Sequence, residues 1–157
     1  VATTELLRWA VGEWAGISTL FLPWLENEED RVHSGESRAL IELQGDEDTA
    51  TIKYTWAYKG GTEVGTLIIA ADEQRDLIAM GMMDTFHLNG DVMRLTGPFT
   101  DERIDVMGTY FVGDGEPEWG WKIQLSRSSE TLRVRAMNVS PEGEEEVASE
   151  AEYHRIG

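Results

Sequence analysis

The chain reads as a succession of short segments in which apolar and polar positions alternate. Ile52, Tyr54, Trp56 and Tyr58 fall on one side of such a segment and Thr51, Lys53, Thr55 and Ala57 on the other. Trp119, Trp121, Ile123 and Leu125 oppose Gly120, Lys122, Gln124 and Ser126 in the same way. Successive side chains of a strand point to opposite faces, so each run predicts a strand with one buried face. Runs rich in Val, Ile, Thr, Tyr and Trp mark 37–45, 49–61, 62–72, 77–90, 91–97, 103–115, 118–126, 131–140 and 145–157, and 12–23 makes a tenth. Only the start differs. "TTELLRWAVG" offers a threonine N-cap, places Leu6, Leu7, Ala10 and Val11 at helical spacing and meets Gly12, which predicts one short helix.

The connections "KGG", "NGD", "GDGEP" and "SPEG" read as hairpin turns, and no interval offers a convincing crossover helix. An antiparallel meander follows. Ten antiparallel strands in one domain, 1–157, either close into a barrel, which removes exposed edges, or split into a two-sheet sandwich. The expected fold is all-β, a closed meander of about ten strands behind a short helix. Alternation alone does not say which face is inside. Arg133 and Arg135 oppose Leu132, Val134 and Ala136, and their face is either solvent or a polar lumen.

Composition adds exclusions. With 41% hydrophobic and 27% charged residues, a chain of 157 suits one globular core. The lack of cysteine rules out disulfides, thiolate metal sites and cysteine nucleophiles. Thirty acidic residues against 13 Lys and Arg give a net charge of -17. Such a field repels phosphate backbones and anionic lipid surfaces, so neither nucleic acid nor membrane is expected as a partner. The acid collects in turns such as "ENEED", "GDED", "GDGEPE" and "PEGEEE", none with the spacing of a calcium loop, and a solvated surface is the simplest reading. No apolar run approaches the roughly 20 residues that cross a bilayer, and no secretory signal opens the chain, so a cytoplasmic location is expected.

Chemistry-bearing motifs are sparse. His33, His87 and His154 lie far apart and outside any zinc-enzyme pattern, and no nucleophile elbow, Walker loop or dinucleotide fingerprint occurs. No metal or cofactor is specified, although one histidine, His87 or His154, is enough to ligate haem. The densest stretch is "MMDTFHLNG", 82–90, read as a strand and hairpin. In a regular strand Met82, Asp84, Phe86 and Leu88 face one way and Met83, Thr85, His87 and Asn89 the other. A turn beginning at Asp84 would change that.

At these residues the chain resembles the uncharacterised DUF1579 family. "LLRWAVGEWAG", "MMDTFHLNGDVMRLTG", "EWGWKIQLS" and "GEEEVASEAEYHR" carry the likeness. The family's Gly-x-Trp opening falls on Gly12, Trp14 and Gly16, its central Asp-Ser/Thr-x-His on Asp84, Thr85 and His87, and a later tryptophan on Trp121. The resemblance implies a calycin-like barrel related to lipocalins and fatty-acid-binding proteins, with no established activity. "GEWAG" is also similar to the openings of lipocalins and of nitrobindin-like haem barrels. In lipocalins that tryptophan packs at the closed end, which implies a structural role for Trp14.

The function expected is reversible binding of a hydrophobic or amphipathic small molecule. Tyr54, Trp56, Phe86, Trp119 and Trp121 would form the ligand wall, with His87, Asp84 or an inward Arg133 or Arg135 holding a polar end. The alternatives are an enzyme using Asp84 and His87 at the barrel mouth, and a filled barrel that acts as a structural or interaction protein. Either a monomer or a homodimer is compatible with this reading.

Overall fold

The computed structural model describes residues 4–45, 49–88 and 90–156. A six-residue helix, α1 (Glu5–Ala10), precedes ten strands. These are β1 (Gly12–Phe21), β2 (Val32–Gln44), β3 (Thr49–Tyr58), β4 (Gly61–Asp72), β5 (Leu77–Asp84), β6 (Met93–Gly97), β7 (Arg103–Tyr110), β8 (Trp119–Ser128), β9 (Thr131–Val139) and β10 (Glu145–Arg155). Every neighbour pair is antiparallel, sequential strands pair throughout, and β1 also pairs with β10, so the meander closes into a barrel. Closure leaves no edge strand to template aggregation, which excludes the sandwich.

The alternation seen in the sequence is the inside/outside alternation of this wall. Ile52, Leu67, Ile69, Met80, Met82, Leu95, Val106, Ile123 and Leu125 are buried in one continuous interior. Lys59 and Gly60 join β3 to β4, both with positive φ, which gives the twist that a tight two-residue hairpin requires.

One end of the barrel is closed by α1. Six residues are too few to hold a helix by backbone bonds alone. Here Thr4 caps it by accepting from the Leu7 N–H, and Leu6, Leu7 and Ala10 enter the core. Trp14 lies beneath it, fully buried, with its indole N–H donating to the Ala10 carbonyl at 2.8 Å. From the last strand, Arg155 donates to the carbonyls of Trp9 and Val11 while its guanidinium sits 4.4 Å from the Trp14 ring centre. Those carbonyls are the ones a helix end leaves unpaired.

The opposite end gathers the β1–β2, β3–β4, β5–β6, β7–β8 and β9–β10 loops, and a 3-10 turn, Glu28–Asp30, lies in the first of them. A small apolar cluster of Leu20, Leu22 and Trp56 packs there with Leu25, Tyr58 and Phe86. Trp24 is not part of it and is 66% exposed.

Some expected boundaries shift. The second strand begins at Val32 rather than 37, β6 at Met93 rather than 91, and β7 stops at Tyr110. The strand expected to run to residue 90 stops at Asp84, because the Asp84 side chain accepts the Phe86 and His87 backbone N–H groups at 2.8 and 2.9 Å and starts a turn. A third bond, from the Leu88 N–H to the Asp84 carbonyl, completes it. Asn89, assigned to a face from the sequence, lies outside the described residues, as does most of "GDED".

Candidate functional site

The site is built where three neighbouring strands put Tyr54, Gly65 and Asp84 side by side. Tyr54 of β3 pairs with Gly65 of β4, and Gly65 pairs with Asp84 of β5. With no side chain between them, the Tyr54 ring lies across β4, and its hydroxyl donates to Asp84 Oδ2 at 2.6 Å. A Cβ on Gly65 would fall 2.1 Å from that ring, so only glycine admits this bond.

The arrangement recurs across the barrel. Tyr153 of β10 pairs with Gly16 of β1, which pairs with Ser37 of β2. Tyr153 and Ser37 are hydrogen-bonded at 2.7 Å, and the Ser37 hydroxyl donates to the Thr55 carbonyl at 2.8 Å. Ser37 has one proton and spends it on Thr55, so Tyr153 is the donor in their bond. Both phenol protons are thus committed inside the wall. The phenol oxygens of Tyr54 and Tyr153 remain as acceptors toward the lumen.

Asp84 is 1% exposed, and it accepts from Tyr54 and from two backbone N–H groups. It has no ion-pair partner among the described residues. Its contact with His87 runs through the backbone and not the imidazole, so the two do not form a carboxylate–imidazole dyad. Desolvation, with the Asp84 charge and hydrogen bond second, pushes the Tyr54 phenol well above its ordinary range. Burial raises the pKa of Tyr153 too, against an opposing pull from the Ser37 hydrogen bond.

The turn at Asp84 also brings His87 round to the lumen, on the same side as Asp84. Its ring is stacked on Trp56 at 5.9 Å, tilted against Trp121 at 4.9 Å and edge-to-face with Phe86 at 5.0 Å. Burial among these rings lowers its pKa, and this outweighs the opposing pull of Asp84 and Glu63. The unfolded imidazole protonates near 6.5 and the folded one only at lower pH, so the unfolded chain takes up more protons as pH falls below about 6.5. Stability from this group is present above that pH and lost on acidification. Urea unfolding at pH about 7.5 and 5.5 is expected to show wild type losing stability relative to His87→Phe; parallel behaviour would mean the ring is solvated.

These groups line a chamber with Ser18, Ile52, Met82, Ile123, Val134 and Ser149 among the remaining wall residues. Its volume is about 60 Å³. One water occupies roughly 10–15 Å³ of such a space, so the chamber suits a compact body and not a long acyl chain. Trp121 is buried with its indole N–H unpartnered. Together with His87 it separates this chamber from an outer hollow of about 190 Å³ walled by Phe86, Leu88, Met93, Tyr110 and Asn138.

Of the residues expected from sequence, Asp84, His87, Tyr54, Trp56 and Trp121 meet in the chamber. Phe86 stands in the outer hollow, and Trp119, half-buried, lines neither. Arg133 and Arg135 face outward, because Leu132, Val134 and Ala136 take the lumen. Both pair with Glu150, and Arg133 also pairs with Glu152. The arginines therefore do not hold a ligand inside the barrel. Ser37, Tyr153, Gly65 and Gly16 were missed; the available signal was a glycine in mid-strand opposite an aromatic residue.

His154 is exposed and the chamber is smaller than a porphyrin, so the residues present do not fit haem. No group of three or more His, Asp or Glu converges among the described residues, and no described helix is long and apolar enough to cross a membrane.

Fold and site together define a closed ten-stranded antiparallel barrel with a small internal chamber. Among solved structures it is similar to the crystal structure of Rv2717c from M. tuberculosis, with a TM-score of 0.65 over the whole length of both chains and 11% sequence identity. At that identity the likeness shows the fold alone. No family model matches the chain, and neither does any curated protein, so the DUF1579 resemblance gains no support from them.

Proposed function

We propose that the barrel reversibly binds a small, largely apolar molecule with a polar end, in the manner implied by its resemblance to DUF1579 and the calycins. The observation that carries this reading is a recessed chamber, mostly apolar, into which Asp84, Tyr54 and Tyr153 bring polar groups, with the unpartnered indole N–H of Trp121 buried in its surroundings. A buried donor without an acceptor costs about 1–3 kcal/mol, and a ligand atom or a water would supply the missing bond. Each Å² of apolar ligand surface removed from water contributes about 25 cal/mol, so a ring-sized guest gains roughly 4 kcal/mol from burial. Selection then rests on the polar contacts.

The test is titration with benzyl alcohol, followed by tryptophan fluorescence and the thermal midpoint. Saturable binding is expected for wild type, with affinity reduced about tenfold or more in Ala136→Leu, which fills the chamber from β9. A folded wild-type protein that shows no saturable response would overturn the proposal.

A further inference from the structure

We infer that the chamber selects a small organic cation, a primary or methylated ammonium carried on an apolar body. This deepens the binding reading above and rests on it. The expectation of a carboxylate-bearing ligand needed an inward arginine, and both candidates face outward. Asp84 is the one carboxylate among the lining residues, and no Lys or Arg lines the chamber with it. A buried charge without a counter-ion is costly. Three hydrogen bonds offset part of that cost, and a bound cation would offset more.

The hydrogen-bonding capacity points the same way. Asp84 Oδ1 receives two backbone N–H groups, whereas Oδ2 receives only the Tyr54 hydroxyl and keeps capacity for another donor. The phenol oxygens of Tyr54 and Tyr153 have given their protons away within the wall. Asp84 and the two phenols therefore offer acceptors, and the Ser18 and Ser149 hydroxyls can accept as well as donate. An ammonium brings up to three donors and a positive charge, while a carboxylate brings none and would meet the Asp84 charge across a low-dielectric space.

Aromatic faces complete the cage. Trp56 and Trp121 line the chamber on either side of His87, with ring centroids 5.9 and 4.9 Å from the imidazole, and indole faces attract cations. His87 is kept neutral by its burial, so it adds no competing positive charge. Trp121 donates rather than accepts, and a ligand oxygen or a water would pair it.

The approach is favourable too. Four of the five loops around the open end contain acidic residues, among them Glu28, Asp91, Glu116 and Glu144, and Arg31 and Lys59 are the only bases in the five. With the overall charge of -17, this field raises the local concentration of cations and repels anions.

The experiment compares three molecules of nearly one shape, benzylamine, benzyl alcohol and benzoate, by calorimetry at neutral pH and two ionic strengths. Benzylamine is expected to bind at least about tenfold tighter than benzyl alcohol, with its advantage shrinking in salt, and benzoate weakest of all. Asp84→Asn, which keeps an acceptor oxygen for the turn, should reduce benzylamine affinity about tenfold and remove most of its advantage over benzyl alcohol. The wild-type series is decisive even if that variant folds poorly. Benzyl alcohol binding as tightly as benzylamine, or benzoate binding best, would overturn the cation proposal and leave the binding reading standing. No binding by any of the three overturns both.

Discussion

Trp14→Ala is expected to destabilise the barrel by about 4 kcal/mol. The indole is fully buried under α1, so its removal combines lost transfer energy with a cavity at the closed end. It also strips the Ala10 carbonyl of its donor and leaves Arg155 without the ring it covers. A helix of six residues has little to fall back on once that contact goes, and α1 should fray together with the cap at Thr4. For a chain of this size the thermal midpoint should fall by roughly 8–16 °C. Urea unfolding measures the effect, with Trp14→Phe expected to recover about half. A loss under about 1.5 kcal/mol would mean that the closed end is not sealed as described.

Asp84→Ala should cost about 3–5 kcal/mol, although it removes few atoms. The carboxylate is the shared acceptor of the Tyr54 hydroxyl and the Phe86 and His87 N–H groups. Truncation strands three donors in a place that water hardly reaches, and the penalty for an unmet buried donor exceeds the net value of a bond made. Because two of those donors define the turn, His87 should lose its position between Trp56 and Trp121. Amide hydrogen exchange supplies the specific readout. Protection at Phe86 and His87 should vanish in Asp84→Ala and persist in Asp84→Asn, whose global loss should be about half as large. If both variants keep that protection, the Leu88–Asp84 backbone bond closes the turn without the side chain.

Both positions were visible before the fold was known, yet for different reasons. Trp14 followed from the "GEWAG" opening, and its role as a packed residue at the closed end is what the geometry shows. Asp84 was visible only as a chemical possibility. The period-two rule placed His87 on the opposite face, and that rule fails once the backbone leaves the strand. The turn at Asp84 that the sequence left open is the one that forms, because an aspartate can accept its own chain's N–H groups two and three residues on.

The sequence by itself determined the meander, the short helix, the hairpin turns and the apolar faces of most strands. These depend on side-chain periodicity and turn chemistry, which act over a few residues. Tertiary structure alone decided closure, the outward direction of Arg133 and Arg135, and the assembly of the chamber. Tyr54 reaches Asp84 across 30 positions of sequence and Tyr153 reaches Ser37 across 116, each over a glycine whose meaning appears only when strand register sets the three side by side. Local patterning says that a face is apolar. Which distant side chains share its interior, and which of their protons are already committed, follows from the closed arrangement of all ten strands.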